Sequence, residues 1–170
     1  STLSIGGNIN AGDDAIDVRH ASNAADSISI RTLSGSELVG GDDGIYARNA
    51  GAGATTIITN GDVTSTDNGI QVKARGSTGE VSVTVNKNIT AADGNGVEVD
   101  VDADSSSNIT VTTGASSVIK STNNDGIQTV MKGTGTTTLN LDGKIYSHDT
   151  GTDGAVYANS LATAGALEIN

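Results

Sequence analysis

The sequence has no cysteine, no proline, no phenylalanine and no tryptophan. Without cysteine there is no disulfide framework, so stability has to come from packing. A cysteine-free chain also suits passage through an oxidising periplasm, where thiols would otherwise pair. The only aromatics are three Tyr, so a broad globular core cannot be filled with large rings in the usual way. Ile, Val, Leu and Ala must fill it instead, which suits an interior only a few side chains across. Basic residues are scarce, 9 against 20 acidic ones, for a net charge of −11. That balance disfavours nucleic acid and anionic membrane as partners, since both require basic patches. No run of about 18 apolar residues occurs, so no transmembrane helix is expected, and no leader-like segment follows Ser1.

What is plentiful is Gly, 23 residues, together with Ser, Thr, Asn and Asp. Such a composition alone would suit disorder, but the aliphatic residues recur too regularly for that. The phrase Asp42-Asp43-Gly44-Ile45-Tyr46-Ala47 returns in altered form along the whole chain. Its aliphatic anchors are Ile16, Ile45, Ile70, Val97, Ile127 and Val156, at successive spacings of 29, 25, 27, 30 and 29 residues. Recurrence at roughly 20–50 residues marks a stacked-repeat architecture. Within each copy a polar turn leads into aliphatic, outward and small residues in alternation, the period of a half-buried strand. The Gly before the anchor reads as a turn residue in a conformation that β-branched residues avoid.

Each repeat carries two further aliphatic segments before its anchor. In the second they are Ile28-Ser29-Ile30 and Leu38-Val39, with extra residues 32–37 expected to bulge at the first corner. In the fourth they are Val81 to Val85 and Ile89, followed by Val97-Glu98-Val99 and a return loop over residues 100–107. Ala166-Leu167-Glu168-Ile169 opens a seventh coil. Three short strands per coil joined by polar turns describe an all-β parallel β-helix of about six coils, one domain over residues 1–170. At the ordinary strand spacing its core would be roughly 30 Å long. No coil buries its aliphatic residues alone, so single repeats should not fold. A sandwich would show hairpin turns every 8–12 residues or so, and a propeller would need about 40 residues per blade. No sustained helical periodicity occurs, and only residues 21–26 are compatible with a single helical turn.

The phrases Gly44-Ile45-Tyr46-Ala47-Arg48-Asn49, Thr55-Thr56-Ile57-Ile58-Thr59-Asn60-Gly61-Asp62-Val63 and Val83-Thr84-Val85-Asn86-Lys87-Asn88-Ile89 resemble the passenger domains of bacterial autotransporters (type V secretion). The resemblance spans essentially the whole chain. It implies a right-handed parallel β-helix, a fragment of a longer passenger, passing through the periplasm to be secreted from or displayed on a Gram-negative cell. It implies an adhesin or host-receptor ligand, not itself membrane-inserted, whose partner is a host-cell surface protein or glycan. A polysaccharide-degrading β-helix enzyme and an inert stalk are the alternatives, because architecture does not fix activity.

Candidate sites divide by chemistry. Asp14, Asp43, Asn68, Asn95, Asp125 and Asp153 are expected to stack at one corner. Stacked carboxylates can hold calcium, but Asp and Asn before Gly also stabilise turns by bonding their own backbone, and the turn reading is preferred. No catalytic constellation, triad, phosphate loop or dinucleotide fingerprint occurs, so no catalytic residue, metal ligand or cofactor is assigned. His20 and His148 fall five coils apart, roughly 24 Å, and are read as solvated loop residues. Three residues after successive anchors stand Arg19, Arg48 and Lys73, with Arg75 close by; the fourth coil has Asp100 there, followed by Asp102 and Asp104. One edge should therefore be basic, then acidic. With the outward Tyr46 and Tyr157, the residues Arg19, Arg48, Lys73 and Arg75 form the expected binding surface, suited to an acidic receptor or sulfated glycan. Outward Ser29, Thr84 and Thr110 resemble the Thr ranks of ice-binding β-helices, interrupted by Ile58 and Asn140. Open strand edges at the two ends would favour end-to-end self-association.

Overall fold

The computed structural model describes residues 1–22, 25–148, 154–161 and 165–170. It is an all-β parallel solenoid: three parallel sheets, with no helix among the described residues. The strands of coil one are Thr2–Ile5, Ile9–Ala11 and Ile16–His20, and those of coil two Ile28–Thr32, Glu37–Gly40 and Ile45–Asn49. Coil three has Thr55–Thr59, Asp62–Ser65 and Ile70–Ala74; coil four has Val81–Val85, Ile89–Ala91 and Val97–Val101. Coil five has Ile109–Thr113, Val118–Ser121 and Ile127–Met131; coil six has Thr137–Leu141, Lys144–Ser147 and Val156–Ser160. Leu167–Ile169 adds a seventh strand to the first sheet by pairing with coil six.

Register follows from the side-chain period of two, because a slip of one residue would turn every buried side chain to solvent. The anchors lie directly over one another: Ile16 on Ile45, Ile45 on Ile70, Ile70 on Val97, Val97 on Ile127 and Ile127 on Val156. Two further aliphatic columns line the same interior, Ile30–Ile57–Val83–Val111–Leu139 from the first sheet and Leu38–Val63–Ile89–Ile119–Ile145 from the second. All but Ile145 are buried. This narrow aliphatic triangle is what the shortage of rings implied.

The corner between the second and third sheets differs from the expected self-bonded turn. Asp43 N–H donates to Asp14 Oδ1 (3.1 Å), Asn68 N–H to Asp43 Oδ1 (2.9 Å), Asn95 N–H to Asn68 Oδ1 (2.8 Å) and Asp125 N–H to Asn95 Oδ1 (3.1 Å). In return Gly44 N–H donates to Asn68 O, Gly69 N–H to Asn95 O and Gly96 N–H to Asp125 O. The corner is thus a ladder between coils, satisfying backbone groups that would otherwise be orphaned inside the bend. Its sixth rung is Gly154, whose N–H donates to Asp125 Oδ1 (2.7 Å). Asp153, assigned to that rung from sequence, is one residue out of phase and lies outside the described residues.

The glycines before the anchors are not required for a left-handed backbone. Among the described residues only Gly35 and Gly76 have positive φ, 83° and 60°. Gly69 is required by close approach: a Cβ there would meet Ile89 Cγ2 at 2.1 Å and Gly96 O at 2.5 Å. Its in-register equivalents Gly44, Gly96 and Gly126 press on the second-sheet aliphatic column in the same way.

Other expectations shift by a residue or two. Thr32 ends a strand and Glu37 begins one, so the coil-two bulge is the four-residue turn 33–36, closed by Ser36 N–H and Oγ donating to Leu33 O. The acidic return loop after coil four begins at Asp102, because Asp100 and Val101 remain in the strand. Of the segment 21–26, the residues 21–22 and 25–26 are not helical, and 23–24 lie outside the described residues.

Candidate functional site

The third sheet points alternate residues outward in two columns. One runs Asp17, Tyr46, Gln71, Glu98, Gln128, Tyr157; the other runs Arg19, Arg48, Lys73, Asp100, Val130, Asn159. The basic-then-acidic order read from sequence is therefore present as a true stack, with neighbouring positions about one strand spacing, ~4.8 Å, apart. Arg19, Arg48, Lys73 and Tyr46 come together over coils one to three. Tyr157 does not join them: it shares Tyr46's column four coils away, roughly 19 Å. Arg75 also leaves the stack. It follows the strand Ile70–Ala74 and reaches Asp102, Nε to Oδ2 3.6 Å.

Tyr46 organises the basic group. The Arg19 guanidinium lies 4.8 Å from its ring centroid and Lys73 Nζ 5.7 Å, both within cation–π range. Arg19 is also paired with Asp17, Nε to Oδ1 2.9 Å. Arg48 and Lys73 make no ion pair among the described residues, and the buried Arg48 Nε has no hydrogen-bond acceptor there. Asp100, which sits opposite Lys73, is taken by Lys132 Nζ at 2.8 and 3.1 Å. That bond and the nearby carboxylate charge raise the Lys132 pKa.

The acidic corner beside this sheet gathers carboxylates. Asp13, Asp14 and Asp42 have oxygens within 4.8 Å of one another, as do Asp42, Asp43 and Asp67. Burial raises the pKa values of Asp14 and Asp67, and raises that of Asp43 to about 6. Asp14 and Asp43 each spend an oxygen on the inter-coil ladder, so the corner's first use is architectural.

His20 is not a loop residue. It ends the strand Ile16–His20, half-buried, with Nε2 3.0 Å from Ser1 Oγ and Nδ1 2.9 Å from Asp26 O. His148 is exposed. The outward hydroxyls of the first sheet are more regular than the sequence suggested. Thr2, Ser29, Thr56, Ser82, Thr110 and Thr138 form one uninterrupted column; Thr84, grouped with Ser29 and Thr110 from sequence, falls instead with Ile58 and Asn140 in the column beside it. Tyr146 stands on the second sheet over Lys120, away from either group.

Comparison with known proteins returned no matching family model, no matching curated protein and no matching solved structure. Fold and local chemistry define the class: a parallel β-helix repeat protein.

Proposed function

We propose that this chain belongs to an extracellular, surface-displayed binding rod of the autotransporter-passenger type, secreted from a Gram-negative cell. In this reading the basic stripe of the third sheet engages a sulfated glycan on a host-cell surface. One observation carries the reading. Arg19, Arg48 and Lys73 occupy directly opposed positions on adjacent strands, where like charges cost a few tenths to about 1 kcal/mol per contact. A chain with net charge −11 has ample acid to neutralise such a column, yet Arg48 and Lys73 carry no ion pair among the described residues. Unmatched cations beside a rigid aromatic ring suit an anionic partner, and a stable scaffold tolerates such local cost at binding surfaces.

The test is binding to heparin with increasing salt. The double reversal Arg48→Glu with Lys73→Glu should weaken binding at least about tenfold, ~1.4 kcal/mol, and wild-type affinity should fall with ionic strength. Equal binding by wild type and the reversed variant would end the glycan reading. Cell binding that survives enzymatic removal of sulfated glycans, yet is lost in the reversed variant, would replace the glycan with an acidic protein. Turnover of a polysaccharide would favour the enzymatic alternative, and indifference of every surface variant the inert stalk.

A further inference from the structure

The outer face of the third sheet carries a second feature, unrelated to the basic stripe. Over coils four to six it opens into a groove of about 530 Å³. Coil five forms its floor. Gln128 is folded down to Asp125 (Nε2 to Oδ2 3.0 Å), and its neighbour Val130 is short and apolar. Coil four forms one wall with Glu98 and Asp100; coil six forms the other with Tyr157 and Asn159. The walls stand two strand spacings apart, roughly 9–10 Å, close to the breadth of one six-membered sugar ring with its substituents.

Each wall carries hydrogen bonds of its own. Tyr157 is 44% exposed, yet its Oη accepts from Asn159 Nδ2 at 2.9 Å. Glu98 Oε2 accepts from Gln71 Nε2 at 2.9 Å, and Asp100 is clamped by Lys132. A carboxylate offers about four lone-pair sites, so each acid keeps acceptors free for a ligand. The groove thus combines an aromatic side chain, a floor in which Val130 is the apolar member beside Gln128, and converging acceptors, with its one cation, Lys132, already neutralised among the described residues. Anions are disfavoured by Glu98, Asp100 and Asp125. A neutral ring with apolar C–H faces and outward hydroxyl donors matches every wall.

We propose that this groove is a binding subsite for a neutral pyranose unit of a saccharide, with Tyr157 as its stacking platform and Glu98 and Asp100 as hydroxyl acceptors. The site is independent of the basic stripe, and either can fail alone. Amide NMR titration of the full chain with methyl glucoside, methyl galactoside and methyl mannoside tests it, at concentrations where a Kd of about 1–10 mM is visible. At least one glycoside should give saturable shifts centred on Gln128, Val130 and Tyr157. Tyr157→Ala should weaken that binding at least tenfold, Val130→Phe should block it by filling the floor, and Arg48→Glu should leave it unchanged. Absence of saturable shifts with all three glycosides would overturn the proposal, as would unchanged affinity in both Tyr157→Ala and Val130→Phe. A response confined to the cationic probes lysine and arginine methyl ester would overturn it too, and would reassign the groove to basic peptides.

Discussion

Asp43 offers the sharpest thermodynamic test of the corner ladder. The residue is 4% exposed. Oδ1 accepts from both Asn68 N–H, at 2.9 Å, and Asn68 Nδ2, at 3.1 Å. Burial outweighs those bonds, and with the Asp67 and Asp14 charges it lifts the pKa from 3.8 to about 6. A carboxyl whose pKa is higher folded than unfolded binds more protons in the native state between those two values. Stability therefore falls as pH rises through about 4 to 6, and the full cost is present above the folded value. Two units at about 1.36 kcal/mol each set a ceiling near 3 kcal/mol. Solvent screening at the corner reduces this to about 1.5 kcal/mol.

The perturbation is Asp43→Asn. The amide oxygen can still accept the Asn68 N–H, so the rung survives while the charge is lost. Urea denaturation should show the variant more stable than wild type by about 1.5 kcal/mol at pH 7.5 and equal to it at pH 4. Carbon NMR of the wild-type carboxyl should place its titration well above the ordinary aspartate range. A variant less stable than wild type at pH 7.5, or an increment that does not change with pH, would refute the reasoning.

Two further predictions concern the interior. Ile70→Ala removes a fully buried member of the anchor column between Ile45 and Val97; the cavity should cost about 3–4 kcal/mol, read as a lower urea midpoint, and a loss under 1 kcal/mol would contradict tight stacking. Gly69→Ala forces a Cβ onto Ile89 and the Gly96 carbonyl, whereas Gly7→Ala and Gly12→Ala meet nothing within 4 Å. The first should lower the thermal midpoint sharply and the other two should leave it nearly unchanged; equal effects at all three would show that the glycines serve backbone freedom and not close approach.

The residues that were legible in sequence are those whose signal is periodic. Ile16, Ile45, Ile70, Val97, Ile127 and Val156 announce both the coil count and the register, because burial of an aliphatic residue leaves a direct mark on the sequence. The column Arg19, Arg48, Lys73, Asp100 followed from them, being fixed at three residues past each anchor. Polar residues whose roles depend on the neighbouring coil were less legible. Asp14, Asp43, Asn68 and Asn95 read equally well as self-bonded turns, since a single copy contains nothing to show that the acceptor serves the next coil's N–H. Asp153 was misassigned because a rung of the ladder can be a Gly, which has no side chain to announce its place. Buried Thr32 and Thr113 were missed as interior residues. Their Oγ1 atoms accept from Gly61 N–H (3.0 Å) and Gly143 N–H (2.8 Å) across coils, while in sequence they resemble outward hydroxyls. The coil-five groove is equally silent, because it depends on Gln128 folding down toward Asp125 and on what stands one coil to either side.

Because the chain has no cysteine, introduced pairs can be spin-labelled without background. Labels at Ser29→Cys combined in turn with Thr56→Cys, Ser82→Cys, Thr110→Cys and Thr138→Cys report the axial rise along one outward column. In-register stacking predicts that the separation grows by about 4.8 Å with each coil, reaching roughly 19 Å at the last pair before the label length is added. Separations that fail to rise in that order, or a Ser29–Thr138 pair no farther apart than Ser29–Thr56, would contradict the solenoid and every site built on it.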